Sequence, residues 1–191
     1  MPKSKNKRKN GKATVQKNKR ALSAIFLKQS AIDDVRQIFV EAQLKAEMKL
    51  GTGQCTFDDV ALIRDCLNAG SWCLIYLDRI TGDLNEDWFN SVQETFSKSK
   101  DAFHSFYWRG NNKGGVKDPT VRYVCTGDEL TAIKDGVQVS CELIDDMLTN
   151  RPSIFLSLFF GMKKFLKGRG TGRLEFTAAE LEKAIRKYAG R

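Results

Sequence analysis

The sequence predicts an all-α fold, a compact bundle of about five or six helices over residues 21–191, behind a disordered basic tail over residues 1–20. Three observations predict it. Four Ser or Thr residues stand three positions before an acidic residue, and each opens an apolar pattern. Those patterns repeat at spacings of three and four, the period of a half-buried helix. The net charge of +9 lies wholly in the first twenty residues.

The charge decides which partners the composition supports. Lys3, Lys5, Lys7, Arg8, Lys9, Lys12, Lys17, Lys19 and Arg20 are nine basic residues with no Asp or Glu among them. Removing those nine from the 32 basic residues leaves 23, equal to the 23 acidic ones. The body is formally neutral, so the overall charge is no argument for a nucleic-acid-binding globular surface. The tail itself has too little apolar surface to offset its ordering entropy and is expected to be disordered in isolation. Attraction to phosphate through it is expected to be non-specific and steeply salt-dependent, because lysines outnumber arginines and no aromatic is present for stacking. The competing reading of the tail is a solubilising extension without a target.

Helix starts come next. Ser30 with Asp33, Thr56 with Asp59, Thr126 with Glu129 and Thr177 with Glu180 have capping-box spacing, in which hydroxyl and carboxylate satisfy each other's orphan amides. Ala21 to Gln29 reads as a docking helix or an extended arm. From Ser30 the stripe Ile32, Val35, Ile38, Phe39, Ala42 and Ala46 predicts a helix that Gly51 to Gly53 ends. From Thr56 the pattern runs to Ile80 with Gly82 as its stop, and Gly70 inside it suggests close helix packing. A third helix over Asn85 to Tyr107 carries Trp88, Phe89, Val92, Phe96, Phe103 and Phe106, expected to supply much of the core.

Trp108 to Gly115 reads as the clearest loop, and Val121 to Cys125 as a short extended segment. A fourth helix from Thr126 aligns Leu130, Ile133, Val137, Cys141, Ile144 and Leu148, and Pro152 stops it or opens the next. Ser153 to Lys167, apolar over most of its circumference, is the candidate for a central buried helix. Gly168 to Arg173 reads as a link and Thr177 to Ala189 as a final amphipathic helix.

No catalytic, cofactor or metal motif outweighs its structural explanation. The single histidine, His104, has no Cys-x-x-Cys or His-x-x-x-His companion. Of the acidic doublets Asp33-Asp34, Asp58-Asp59 and Asp145-Asp146, two lie in first turns of predicted helices, where negative charge favours the macrodipole. The glycine-rich pieces match neither a Walker loop nor a dinucleotide fingerprint. Cys55, Cys66, Cys73, Cys125 and Cys141 read as buried free thiols of a reducing compartment, and Cys66 with Cys73 as a core stripe. The longest apolar run, Ile154 to Met162, is too short for a membrane span, and no signal peptide is expected.

A second basic stretch, Arg151, Lys163, Lys164, Lys167, Arg169 and Arg173, meets no acidic residue between Leu148 and Leu174 and lies beside Phe155, Phe159, Phe160 and Phe165. It reads either as a contact for nucleic acid, an anionic membrane surface or an acidic partner, or as a buried helix whose basic end favours its own dipole.

The segment Gly51-Thr-Gly-Gln-Cys-Thr-Phe-Asp-Asp59, with Cys66-Leu-Asn-Ala-Gly70 and Tyr123-Val-Cys-Thr-Gly-Asp-Glu-Leu130, resembles small uncharacterised proteins of phages and other mobile elements of Gram-negative bacteria, whose basic leaders also resemble this tail. The resemblance implies a mobile element and a bacterial cytoplasm, and carries over no catalytic residue. The expectation is therefore a non-enzymatic, cytoplasmic binding protein without cofactor, whose body recognises a protein partner while the tail adds nucleic-acid or acidic-surface affinity. The alternative is an inhibitor or regulator of a host or rival-element machine, such as conjugation, transcription or defence, acting by protein contact alone.

Overall fold

A computed structural model describes residues 29–78, 82, 84–115, 118–156 and 159. The fold is all-α: about five helices pack together, four of them longer than two turns. The chain divides into two compact units, Met1–Val35 and Arg36–Arg191. Of the first unit only 29–35 is described, as helix with Ile32 and Val35 buried. The tail and Ala21 to Lys28 lie outside the described residues, as do Ser153 to Lys167 beyond residues 153–156 and 159, and everything from Gly168 onward.

Helix α1 covers 29–45 and widens into a π-helical turn, Ala46–Leu50. It already includes Ser30, so the expected Ser30–Asp33 cap does not form; Asp33 accepts instead from the Gln29 side-chain amide at 3.1 Å. The exit is closed by Thr52, whose hydroxyl donates to the Met48 carbonyl at 3.0 Å, and by Gly53, whose φ of 66° only glycine adopts cheaply.

Helix α2, Phe57–Tyr76, begins at the Thr56–Asp59 box as its spacing predicts. After Tyr76 the chain continues in a π-helical turn at 77–78, Ile80 lies outside the described residues, and Gly82, at φ 65°, donates its amide to the Leu77 carbonyl at 3.1 Å, a glycine stop. Helix α3, Glu86–Asn112, is capped by Asn85. It runs five residues further than its pattern predicts, through Trp108 and Gly110, so the expected loop begins only at Lys113. The reason is tertiary: the Tyr123 ring lies on Gly110 so closely that an added Cβ would stand 2.9 Å from Tyr123 Cγ. Gly110 is there for packing, not for a turn.

Trp88 also departs from its expected place. It is 42% exposed rather than core, while Val92, Phe96, Phe103, Phe106 and Tyr107 are buried. Trp88 lies in the first turn of α3 and lines a cavity of about 470 Å³ with Leu77, Leu84, Val92 and Leu143. Of Val121 to Cys125, expected to be extended, Tyr123 alone enters β pairing. Tyr123 pairs with Cys55 in an isolated antiparallel bridge, its amide donating to the Cys55 carbonyl at 2.9 Å. The Tyr123 ring is fully buried between Phe106 and Tyr107, and its hydroxyl donates to Asn111 Oδ1 at 2.9 Å.

Helix α4, Gly127–Asn150, starts at the Thr126–Glu129 box. Pro152 then opens a short helix α5, 152–156. Phe155 and Phe159 are buried, stacked on each other at 6.0 Å, and each meets the Phe39 ring of α1 edge-on.

Helix α4 is the hub. Gly70 of α2 lies against Ser140, where an added Cβ would be 2.6 Å from the Ser140 Cα. Gly136 of α4 lies against Ser99 of α3, where an added Cβ would be 2.5 Å from the Ser99 Cβ. Gly136 and Ser140 are four apart, so one small-residue face of α4 receives two helices at close range. The buried Ser140 hydroxyl is satisfied by donating to the Gly136 carbonyl at 2.7 Å.

Candidate partner-docking surface

Every tail residue singled out by charge, Lys3, Lys5, Lys7, Arg8, Lys9, Lys12, Lys17, Lys19 and Arg20, lies outside the described residues, as do Lys163, Lys164, Lys167, Arg169 and Arg173. The described surface offers a different feature. Along the outer side of α1, Val40, Leu44 and Met48 are 43, 49 and 67% exposed. They stand four apart, so their side chains form one apolar line down the helix, roughly half a turn round from the buried line Phe39, Ala42, Ala46 and Leu50. Isolated exposed apolar residues are ordinary; three in register mark a surface that water wets poorly.

Val40, the first residue of that line, also lines a groove of about 650 Å³ between α1 and α4. Phe39, Val40, Ile144 and Leu148 give it an apolar lining, and Glu142, Asp145 and Asp146 an acidic side. Arg36 crosses the groove to Asp145, Nε to Oδ1 at 2.9 Å. Gln43 and Gln138 point their amides at Glu47 and Glu142, at 3.2 and 3.1 Å. The groove is thus apolar along its length, with an acidic α4 side on which Asp145 alone carries a described ion pair.

The first-turn expectation holds for one of its two acidic doublets: Asp58-Asp59 opens α2, whereas Asp33-Asp34 lies inside α1, beyond residues 29–30 that are already helical. Asp59 is buried and paired to Lys45 at 2.6 Å and Lys49 at 2.8 Å. Burial would raise its carboxyl, but the bonds from both ammonium groups and from Thr56 hold it well below the usual carboxylate range. The second cap repeats the device: Arg109 grips both oxygens of Glu129, and that grip, against a smaller opposing effect of burial, lowers Glu129 to about 2. Both carboxylates serve as fixed structural anions.

His104 lines a separate cavity of about 280 Å³ with Arg64, Ser99, Lys100 and Phe103. Among the described residues no carboxylate or thiol lines it. Among the described residues no three His, Cys, Asp or Glu side chains come together to hold a metal, and no helix is long and apolar enough to cross a membrane. All five cysteines are free thiols, and Cys66 meets Cys141 of α4, not Cys73, across the helix interface.

The sequence pattern carried a signal for the α1 line. Val40, Leu44 and Met48 sit between the stripe residues of α1, so this helix has more apolar positions than one buried face needs. Comparison with known proteins finds no matching family model, no matching curated protein and no matching solved structure.

Proposed function

We propose that this chain is a non-enzymatic binding protein of a mobile genetic element, whose helical body recognises a protein partner and whose basic tail adds non-specific affinity for nucleic acid or an acidic surface. The observation that carries the reading is the exposed apolar line Val40, Leu44 and Met48, whose first residue lines the groove between α1 and α4. Exposing three large apolar side chains in register disfavours the free protein by leaving them hydrated, and burying them on a partner recovers that free energy. The chemistry best suited to the groove is an amphipathic helix with apolar residues at spacings of three and four and basic residues beside them, facing Glu142, Asp145 and Asp146.

The test places a photo-crosslinking residue at Leu44 in the full chain and exposes it to nuclease-treated bacterial lysate. The expected result is one dominant protein adduct that disappears in the Val40→Ser/Met48→Glu variant while the far-ultraviolet spectrum is unchanged. Adducts that survive the substitution, or that vanish with nuclease, count against the reading. An inhibitor or regulator acting through the body alone is the second reading, supported by the neutrality of residues 21–191. Deleting residues 1–20 separates the two: a full effect on the partner without the tail favours the inhibitor.

A further inference from the structure

Helices α2 and α4 approach most closely where Gly70 meets Ser140, because neither side chain keeps the backbones apart. Cys66 lies one helical turn before Gly70 and Cys141 directly follows Ser140, so the same close approach carries the two cysteines together. Their sulfurs stand 3.8 Å apart with nothing between them. Joining them requires closure to about 2.05 Å, a movement on the scale of small side-chain rotations when the backbones are already close.

The two thiols differ in access. Cys66 is fully buried, whereas Cys141 is half-buried and lines the groove between α1 and α4, and its thiol donates to the Phe39 carbonyl at 3.7 Å. A small solute that enters the groove therefore reaches Cys141 first, with Cys66 behind it. The contact also differentiates their acidity. Cys66 is pushed up by its bond to Cys141 and by burial, while Cys141 is lowered by accepting that bond. Burial, as the main cause, pushes Cys55 and Cys125 up to about 12 and Cys73 higher still. Thiolate character and access thus coincide at Cys141.

We propose that Cys141 and Cys66 form a redox modification site, in which a hydroperoxide converts the pair into an intramolecular disulfide that ties α2 to α4. The Cys141 thiolate sulfur attacks the terminal peroxide oxygen, the O–O bond breaks, and the departing oxyanion takes a proton to leave as an alcohol, or as water when the oxidant is hydrogen peroxide. Cys141 is then a sulfenic acid. The Cys66 sulfur attacks the Cys141 sulfur, the S–O bond breaks, and hydroxide leaves as water with the Cys66 proton. Two thiols lose two electrons to one peroxide. A reducing dithiol reverses the bridge by exchange.

The experiment treats the full chain with hydrogen peroxide under native conditions, then denatures and alkylates it. Alkylatable thiols are expected to fall from five to three, with a peptide pair joined through Cys66 and Cys141. Non-reducing electrophoresis is expected to show a faster band that dithiothreitol reverses. Cys141→Ser is expected to abolish the bridge, and Cys66→Ala to leave a dimedone-reactive Cys141. The wild-type peptide map needs neither variant to fold. Retention of all five thiols, or a bridge between any other two cysteines, overturns the proposal.

Discussion

At the scale of single residues, two carboxylates set the acid limit of the fold. Asp59 and Glu129 each belong to a capping box and each is held by cations, Lys45 with Lys49 and Arg109 respectively. Their folded affinities for protons lie below the ordinary values of about 4 that an unfolded chain restores. The stability they contribute is therefore fully present above about pH 5 and is lost as pH falls toward 2. A melting series from pH 7 to pH 2 is expected to show a steep fall below about pH 4.5, and the Asp59→Asn/Glu129→Gln variant a shallower one from a lower starting point. Asp59→Asn alone is expected to cost about 1–3 kcal/mol in urea denaturation. The cost stays below that of a fully desolvated pair because Lys45 and Lys49 retain access to water. Ser99 runs the other way. Its buried hydroxyl has no hydrogen-bond partner among the described residues, so Ser99→Ala is expected to be neutral or to stabilise by up to about 1 kcal/mol.

At the scale of elements, the small-residue face of α4 decides how the helices assemble. Gly136→Ala and Gly70→Ala each push a methyl group into a neighbouring helix and are expected to destabilise by about 1–3 kcal/mol. Gly127→Ala is the matched control. Its Cβ meets nothing within 4 Å at the first turn of α4, so the gain in helix propensity is expected to leave stability unchanged or raised by up to about 1 kcal/mol. Equilibrium unfolding of the three variants side by side checks both expectations. Gly70 was readable as a close-packing position because a glycine inside a strong apolar pattern needs a reason. Gly136 and Ser140 were not, since small residues leave the apolar periodicity of α4 intact and only the facing helix gives them meaning. The same holds for Gly110, which looks like a turn residue until Tyr123 is placed on it.

At the scale of the whole molecule, charge and shape divide the work. Deleting residues 1–20 removes nine positive charges from the chain and none of its negative ones. The truncated protein is expected to keep its helical spectrum and to lose retention on a nucleic-acid column at low salt. Unchanged retention would move the anion affinity to the body, with Arg151 to Arg173 the first segment to examine. For the full chain, retention is expected to fall steeply between low and moderate salt, as counterion release requires.

The sequence by itself determined the helical class, the starts of α2 and α4, the glycine stop at Gly82 and the confinement of charge to the tail. Each depends on residues within a few positions of one another, so the chain carries the information locally. Only the tertiary structure decided the length of α3, the exposure of Trp88, the pairing of Cys66 with Cys141 instead of Cys73, and which α1 residues remain outside. Those outcomes depend on which helix faces which. A periodic pattern specifies that a helix has a buried face; the neighbour that covers it is chosen by close packing between positions tens of residues apart.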